Sequence, residues 1–129
     1  IKKINELNLK VSIEKNMNHE NLLEKLKQYR YFVSSSLFEG NPKTLLEALS
    51  NECAVFASNI DNHSEIINHN ENGFLYNLKE GCLINLFNEK INNLDNLQLI
   101  SKEASISMYN RFSINNLIEK MNQDFINLR

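Results

Sequence analysis

Phe32-Val33-Ser34-Ser35-Ser36-Leu37-Phe38-Glu39-Gly40-Asn41-Pro42-Lys43-Thr44-Leu45-Leu46-Glu47-Ala48-Leu49 is the stretch on which the reading of this chain turns. The apolar run Tyr31-Phe32-Val33 gives way to a polar loop, and the loop to a segment of helical period opening on Pro42. Proline suits the start of a helix, where its missing N–H would have had no partner. The stretch therefore predicts a strand covered on both faces, a loop, and a helix to about Leu49. A helix start exposes free backbone N–H groups and the positive end of the helix dipole, which together favour an anion. Glu39 and Glu47 bracket this place. Carboxylates cannot serve the anion, but as acceptors they suit sugar hydroxyls beside it. A phosphate flanked by sugars describes a nucleotide sugar.

Outward from this stretch, apolar runs and helical periods alternate. Leu7-Asn8-Leu9-Lys10-Val11-Ser12-Ile13 alternates apolar and polar residues and predicts a strand. Asn18 to Asn21 offers a helix start, followed by Leu22, Leu23, Leu26 and Tyr29 at helical spacing. Ala54-Val55-Phe56-Ala57-Ser58 is continuous and apolar, as in a strand buried on both faces. A turn-rich stretch from Asn59 to Ser64 leads to a short helical piece at Glu65-Ile66-Ile67. Asn72-Gly73 marks a turn before the minimal strand Phe74-Leu75-Tyr76. Leu83, Leu86, Phe87 and Ile91 predict one helix face, and Leu97, Ile100, Ala104 and Met108 a second. Ser113 is placed to cap a last helix, with Leu117, Ile118, Met121, Phe125 and Leu128 inward. The expectation is an α/β fold, a Rossmann-like doubly wound parallel sheet of about four strands ending in several helices. In such sheets ligands bind beyond the carboxyl ends of the strands, where the loop from Ser34 to Asn41 lies.

The composition is that of an ordinary soluble domain: 129 residues, 42% hydrophobic and 23% charged. A net charge of −2 and a pI near 5.9 carry no footprint of nucleic-acid binding. No apolar run is long enough to span a bilayer, and no apolar core follows the N-terminal lysines as in a signal peptide. Cys53 and Cys82 lack CxxC spacing and read as buried thiols of a reducing cytoplasm. His19, His63 and His69 have no ligand-like spacing and read as surface or loop residues. Ser34, Ser35 and Ser36 lack a nucleophile elbow and read as strand-end residues that satisfy loop backbone. Glu14, Lys15 and Asn16 follow the first predicted strand, on the side where a nucleobase would approach.

Ser36 to Ala48 closely resembles the E-x7-E signature of retaining glycosyltransferases of family 4, which have the GT-B fold. The resemblance continues through Val55 to Ser58, Glu65-Ile66-Ile67, Asn72-Gly73-Phe74-Leu75 and Arg111-Phe112-Ser113, covering roughly residues 10 to 125. It implies that residues 1–129 are a single, partial C-terminal nucleotide-sugar-binding domain, without the N-terminal domain that takes the acceptor. It implies a catalytic role for Glu39, at the donor sugar's hydroxyls near the reacting carbon. Gly40, Asn41, Lys43, Thr44 and Leu45 would approach the sugar and diphosphate, with the amides of Lys43, Thr44 and Leu45 as donors. Glu47 would bind the ribose hydroxyls, and Glu65 would fix the loop after its strand.

The implied activity is retaining transfer of a sugar from a UDP-, GDP- or ADP-sugar to a sugar or glycolipid acceptor. The implied setting is surface polysaccharide or glycolipid synthesis, in the cytoplasm or at the inner face of the membrane. Neither cofactor nor metal is expected, in keeping with the lack of an Asp-x-Asp pattern. The family's basic phosphate-gripping pair has no counterpart here, so the chain alone is expected not to catalyse transfer. It also has Gly where Glu52 stands and Pro where Ala54 stands, which predicts a different turn at the exit of the motif helix. The alternatives are a non-catalytic GT-B-like binding or assembly module and, less favoured, a nucleotide-sugar epimerase.

Overall fold

The computed structural model describes residues 10–113 together with residues 116, 118 and 123. In chain order the elements are α1 (His19–Leu26), β1 (Tyr31–Ser34), α2 (Lys43–Ser50), β2 (Ala54–Ser58), α3 (Asp61–Ser64), β3 (Phe74–Tyr76), α4 (Cys82–Ile91) and α5 (Leu94–Phe112). The three strands form a parallel sheet in the order β1-β2-β3, with Phe32 beside Val55 and Phe56 beside Phe74. Parallel neighbours need a crossover, and α2 provides it between β1 and β2.

Every residue of the central strand β2 is buried, as its unbroken apolar run predicts. Its alternating side chains feed two cores. Val55 and Ala57 face Leu26, Leu45, Leu49, Ala104 and Met108 from α1, α2 and the second half of α5. Ala54 and Phe56 face Phe74, Leu97 and Ile100, backed by Leu83, Phe87 and Ile91 of α4. Phe56 stacks on Phe74 at 4.8 Å between centroids and meets Phe87 at 5.1 Å. Helices thus cover both faces, which makes the sheet doubly wound. The face read from α5 is buried and the one read from α4 is half-buried against the sheet, because a 3.6-residue period leaves little choice of face.

Several expectations are corrected. Three strands are present among the described residues and not four. Lys10 to Ile13 form no strand, with Val11 and Ile13 exposed, and Leu7 to Leu9 lie outside the described residues. Alternation builds a strand only where a neighbouring ladder receives it. Val33 is exposed rather than covered on both faces, since among the described residues β1 has a strand on one side only. α1 stops at Leu26, which leaves Tyr29 exposed. The short helix after β2 is Asp61–Ser64, just ahead of Glu65. The Oγ of Ser113 accepts the N–H of Asn116 at 3.3 Å, but Ile118 is exposed and not inward. Leu117, Met121, Phe125 and Leu128 lie outside the described residues.

The exit of α2 does not take a different turn. Glu52 adopts the left-handed conformation itself, at φ 58°. The N–H of Glu52 bonds to the carbonyl of Leu49, and that of Cys53 to the carbonyl of Ala48. These two bonds are a Schellman closure, which normally ends on glycine. A side chain in this conformation costs on the order of 1 kcal/mol. Glu52→Gly is therefore expected to raise folding stability by about 1 kcal/mol. A urea midpoint that does not move would show that this strain is absent.

Cys53 is buried with its Sγ 3.4 Å from the carbonyls of Leu26 and Tyr29, and burial pushes its thiol pKa up. Cys82 is only half-buried, because it opens α4 at the surface. Gly73 is closely packed: a Cβ there would meet Ile67 Cγ2 at 3.1 Å.

Candidate functional site

In a parallel α/β fold each helix runs back against its strand, so helix starts gather at the carboxyl edge of the sheet. Here the edge is formed by Ser34, Ser58 and Tyr76, the last residues of the three strands. Both α1 and α2 begin beside it. A cleft of about 120 Å³ opens there, lined by Phe32, Ser34, Glu39, Asn41, Lys43 and Thr44 among others. A larger cleft of about 560 Å³ lies at the opposite edge, near Arg30 and Ala54, where the strands begin. Neither Glu39 nor Glu47 lines it.

The start of α2 has no side-chain cap. Pro42 has no N–H, and the N–H of Lys43 is taken by the carbonyl of Asn41 at 2.9 Å. The amides of Thr44 and Leu45 have no partner among the described residues, so they are the free donors of this helix start. Asn41, Lys43 and Thr44 are exposed, whereas the Leu45 side chain is buried in the core and offers only its backbone. At Gly40 an added Cβ would meet no protein atom within 4 Å, and its φ is not left-handed. Neither packing nor backbone conformation requires glycine there. The open space above its backbone admits a ligand.

The loop that carries Glu39 is tied from two neighbouring strands. Tyr76 donates its hydroxyl to the Ser34 carbonyl at 3.0 Å, and burial pushes the Tyr76 pKa up. Ser58 Oγ donates to the Ser36 carbonyl at 2.6 Å. Below it, His63 is fully buried and not a surface residue: its Nδ1 lies 2.8 Å from the Ser58 carbonyl. A carbonyl only accepts, so Nδ1 carries the proton. Nε2 has no partner. Asn62 Nδ2 reaches the Gly40 carbonyl at 3.4 Å.

Two side chains act on the glutamates themselves, and the sequence reading assigned neither of them that part. Ser36 Oγ donates to Glu39 Oε1 at 2.5 Å, so Ser36 serves the carboxylate rather than loop backbone. His19 Nε2 lies 2.7 Å from Glu47 Oε1. The three-residue spacing of Ser36 and Glu39 within a loop is a local signal that could have suggested the first contact. For the second, 28 residues apart, only the convergence of helix starts would have pointed to it. Glu65 is exposed, and the loop is tied instead through its carbonyl, which accepts from Arg111 Nη1 at 2.9 Å. Glu14 is engaged by Lys25, whose pKa this hydrogen bond raises.

Among the described residues no three His, Cys, Asp or Glu side chains gather as a metal site, and no helix is long and apolar enough to cross a membrane. The arrangement offers two carboxylates as acceptors, two free amides at a helix start, and an open approach over Gly40.

The fold is that of the C-terminal part of GT-B glycosyltransferases. Sucrose-phosphate synthase from Thermosynechococcus elongatus superposes with a TM-score of 0.83 at 19% identity, over 98% of this chain and 33% of that one. Anabaena HepE, solved with UDP and glucose, gives 0.79 at 18% identity, over 98% and 35%. The C-terminal domain of the group 1 glycosyl transferase LpcC from Francisella tularensis gives 0.72 at 22% identity, over 88% and 60%. The chain thus spans about a third of the length of the first two. No curated protein sequence matches it. The family described as Glycosyl transferases group 1 matches residues 1–112, and the chain belongs to that family.

Proposed function

We propose that residues 1–129 are the donor half of a retaining glycosyltransferase, and that the cleft at the carboxyl edge of the sheet binds a nucleoside-diphosphate sugar. The observation that carries this reading is the conjunction of Glu39 and Glu47 with the uncapped start of α2. The diphosphate sits on the free amides of Thr44 and Leu45, with Asn41 and Lys43 beside it. The sugar passes over Gly40 to Glu39, and Glu47 accepts from the ribose hydroxyls. The helix start stabilises charge that develops on the departing diphosphate. In this reading the site works without a metal ion, and a second domain supplies the acceptor and further cationic groups. The donor nucleotide is UDP, a choice supported by HepE, which was solved with UDP and with UDP-glucose. The acceptor is a sugar or glycolipid of surface polysaccharide synthesis, handled in the cytoplasm.

The test is calorimetric titration of UDP, GDP and ADP into the full-length protein, with Glu47→Ala beside the wild type. Loss of two bonds to a carboxylate is expected to weaken the preferred nucleotide by roughly 100-fold. Equal affinity in a folded Glu47→Ala protein would overturn the donor-site reading.

A further inference from the structure

We propose that His19 is a positioning residue for the nucleotide's ribose, acting by holding the Glu47 carboxylate in place before the ligand arrives. The proposal rests on the donor-site reading and extends it to a residue on a different helix. His19 is the first residue of α1, and Glu47 lies on α2, with the two groups 2.7 Å apart. A carboxylate only accepts, so the proton of this bond lies on His19 Nε2. His19 is the only partner of the Glu47 carboxylate among the described residues. The two are unequally covered, at 66% exposure for the His19 side chain and 20% for Glu47. The carboxylate is therefore recessed, and the imidazole stands over it on the solvent side.

An ionised carboxylate has about four acceptor positions. His19 takes one on Oε1, which leaves Oε2 and a further lone pair for two vicinal hydroxyls. The contact does not compete with the ribose for acceptor capacity. It removes freedom instead: a glutamate side chain has several rotatable bonds, and one already fixed loses less entropy when it binds. Helix position favours the same outcome. His19 sits in a regular first turn behind the Asn18 cap, whose side chain accepts the N–H of Asn21 at 2.8 Å, so the imidazole is mounted on an anchored element.

The test uses UDP and 2′,3′-dideoxy-UDP, titrated into the full-length wild type, His19→Ala, His19→Gln, Glu47→Ala and the His19→Ala/Glu47→Ala double variant. His19→Ala is expected to weaken UDP about tenfold, which is about 1.4 kcal/mol. Affinity for the dideoxy analogue, which has no hydroxyls to present, is expected to stay unchanged. Glutamine can place an N–H where Nε2 stands, so His19→Gln is expected to recover most of the loss. In the Glu47→Ala background the His19 change is expected to add nothing, because the effect passes through that carboxylate. The melting temperature of His19→Ala is expected to match the wild type, since the side chain is exposed. Unchanged or tighter UDP binding in His19→Ala, with Glu47→Ala still defective, would overturn the role of His19 and leave the donor site standing. Equal loss of UDP and its dideoxy analogue would overturn it too. If the wild type does not bind UDP, or binds it no better than Glu47→Ala, the donor-site reading fails and the role of His19 fails with it.

Discussion

Glu39→Gln is expected to lower sugar transfer by the full-length protein by about 100-fold or more while leaving the affinity for bare UDP unchanged. The expectation follows from where the carboxylate is held. Glu39 follows the carboxyl end of β1, borders the cleft with Asn41 and Thr44, and has its Oε1 pinned by Ser36 Oγ. The Ser36 carbonyl is in turn held by Ser58, and Ser58 is backed by the buried ring of His63. A carboxylate fixed in this way meets the sugar in one orientation. Electrostatic groups fixed at the reacting centre contribute about 10²–10³ in rate when removed one at a time. Glutamine keeps the size of the side chain and removes the charge, so a folding defect does not confuse the outcome. Bare UDP has no sugar to touch Glu39, which is why its affinity should hold. Parallel loss of UDP binding would refute the division of labour, in which Glu39 serves the sugar and Glu47 the ribose.

Phe56→Ala is expected to carry the largest stability loss, roughly 3–5 kcal/mol. Phe56 is fully buried at the centre of β2, between Phe74 of β3 and Phe87 of α4. Truncation removes its apolar burial and leaves a cavity, and it also discards two aromatic contacts. Since domains of this kind are stable by about 5–15 kcal/mol, one such change consumes a large share of the whole. Denaturant unfolding would show a large fall in midpoint with little change in slope. Val33→Ala, at an exposed position one strand away and in register with Phe56, should move the midpoint by less than about 0.5 kcal/mol. Similar losses for the two would contradict the assignment of β2 as the buried centre of the sheet.

The motif, the central strand and the long helices were legible in the residues because each is specified within a few positions. An unbroken apolar run such as Ala54 to Ser58 describes a strand covered on both faces, and every residue of β2 is buried. The 3.6-residue period of α4 and α5 leaves one face to bury. Pro42 and the two glutamates mark a helix start by their own chemistry. At Glu52 the local rule worked less well: a residue unsuited to a left-handed turn predicted another turn, yet the backbone keeps the closure. The two hydrogen bonds back to Ala48 and Leu49 and the burial of Cys53 outweigh the strain.

Other features depend on partners distant along the chain. Val33 looks like a core residue until the sheet order leaves β1, among the described residues, on an edge. His63 looks like a loop histidine until the chain folds it beneath Ser58. His19 and Glu47 are ordinary helix residues, 28 positions apart, until α1 packs beside α2 and brings the two side chains together. Periodicity and turn chemistry act over a few residues, so the sequence reads out elements and the motif loop directly. Which side chains hold the two carboxylates is a matter of spatial neighbours, and those exist only once the strands have paired and the helices have docked.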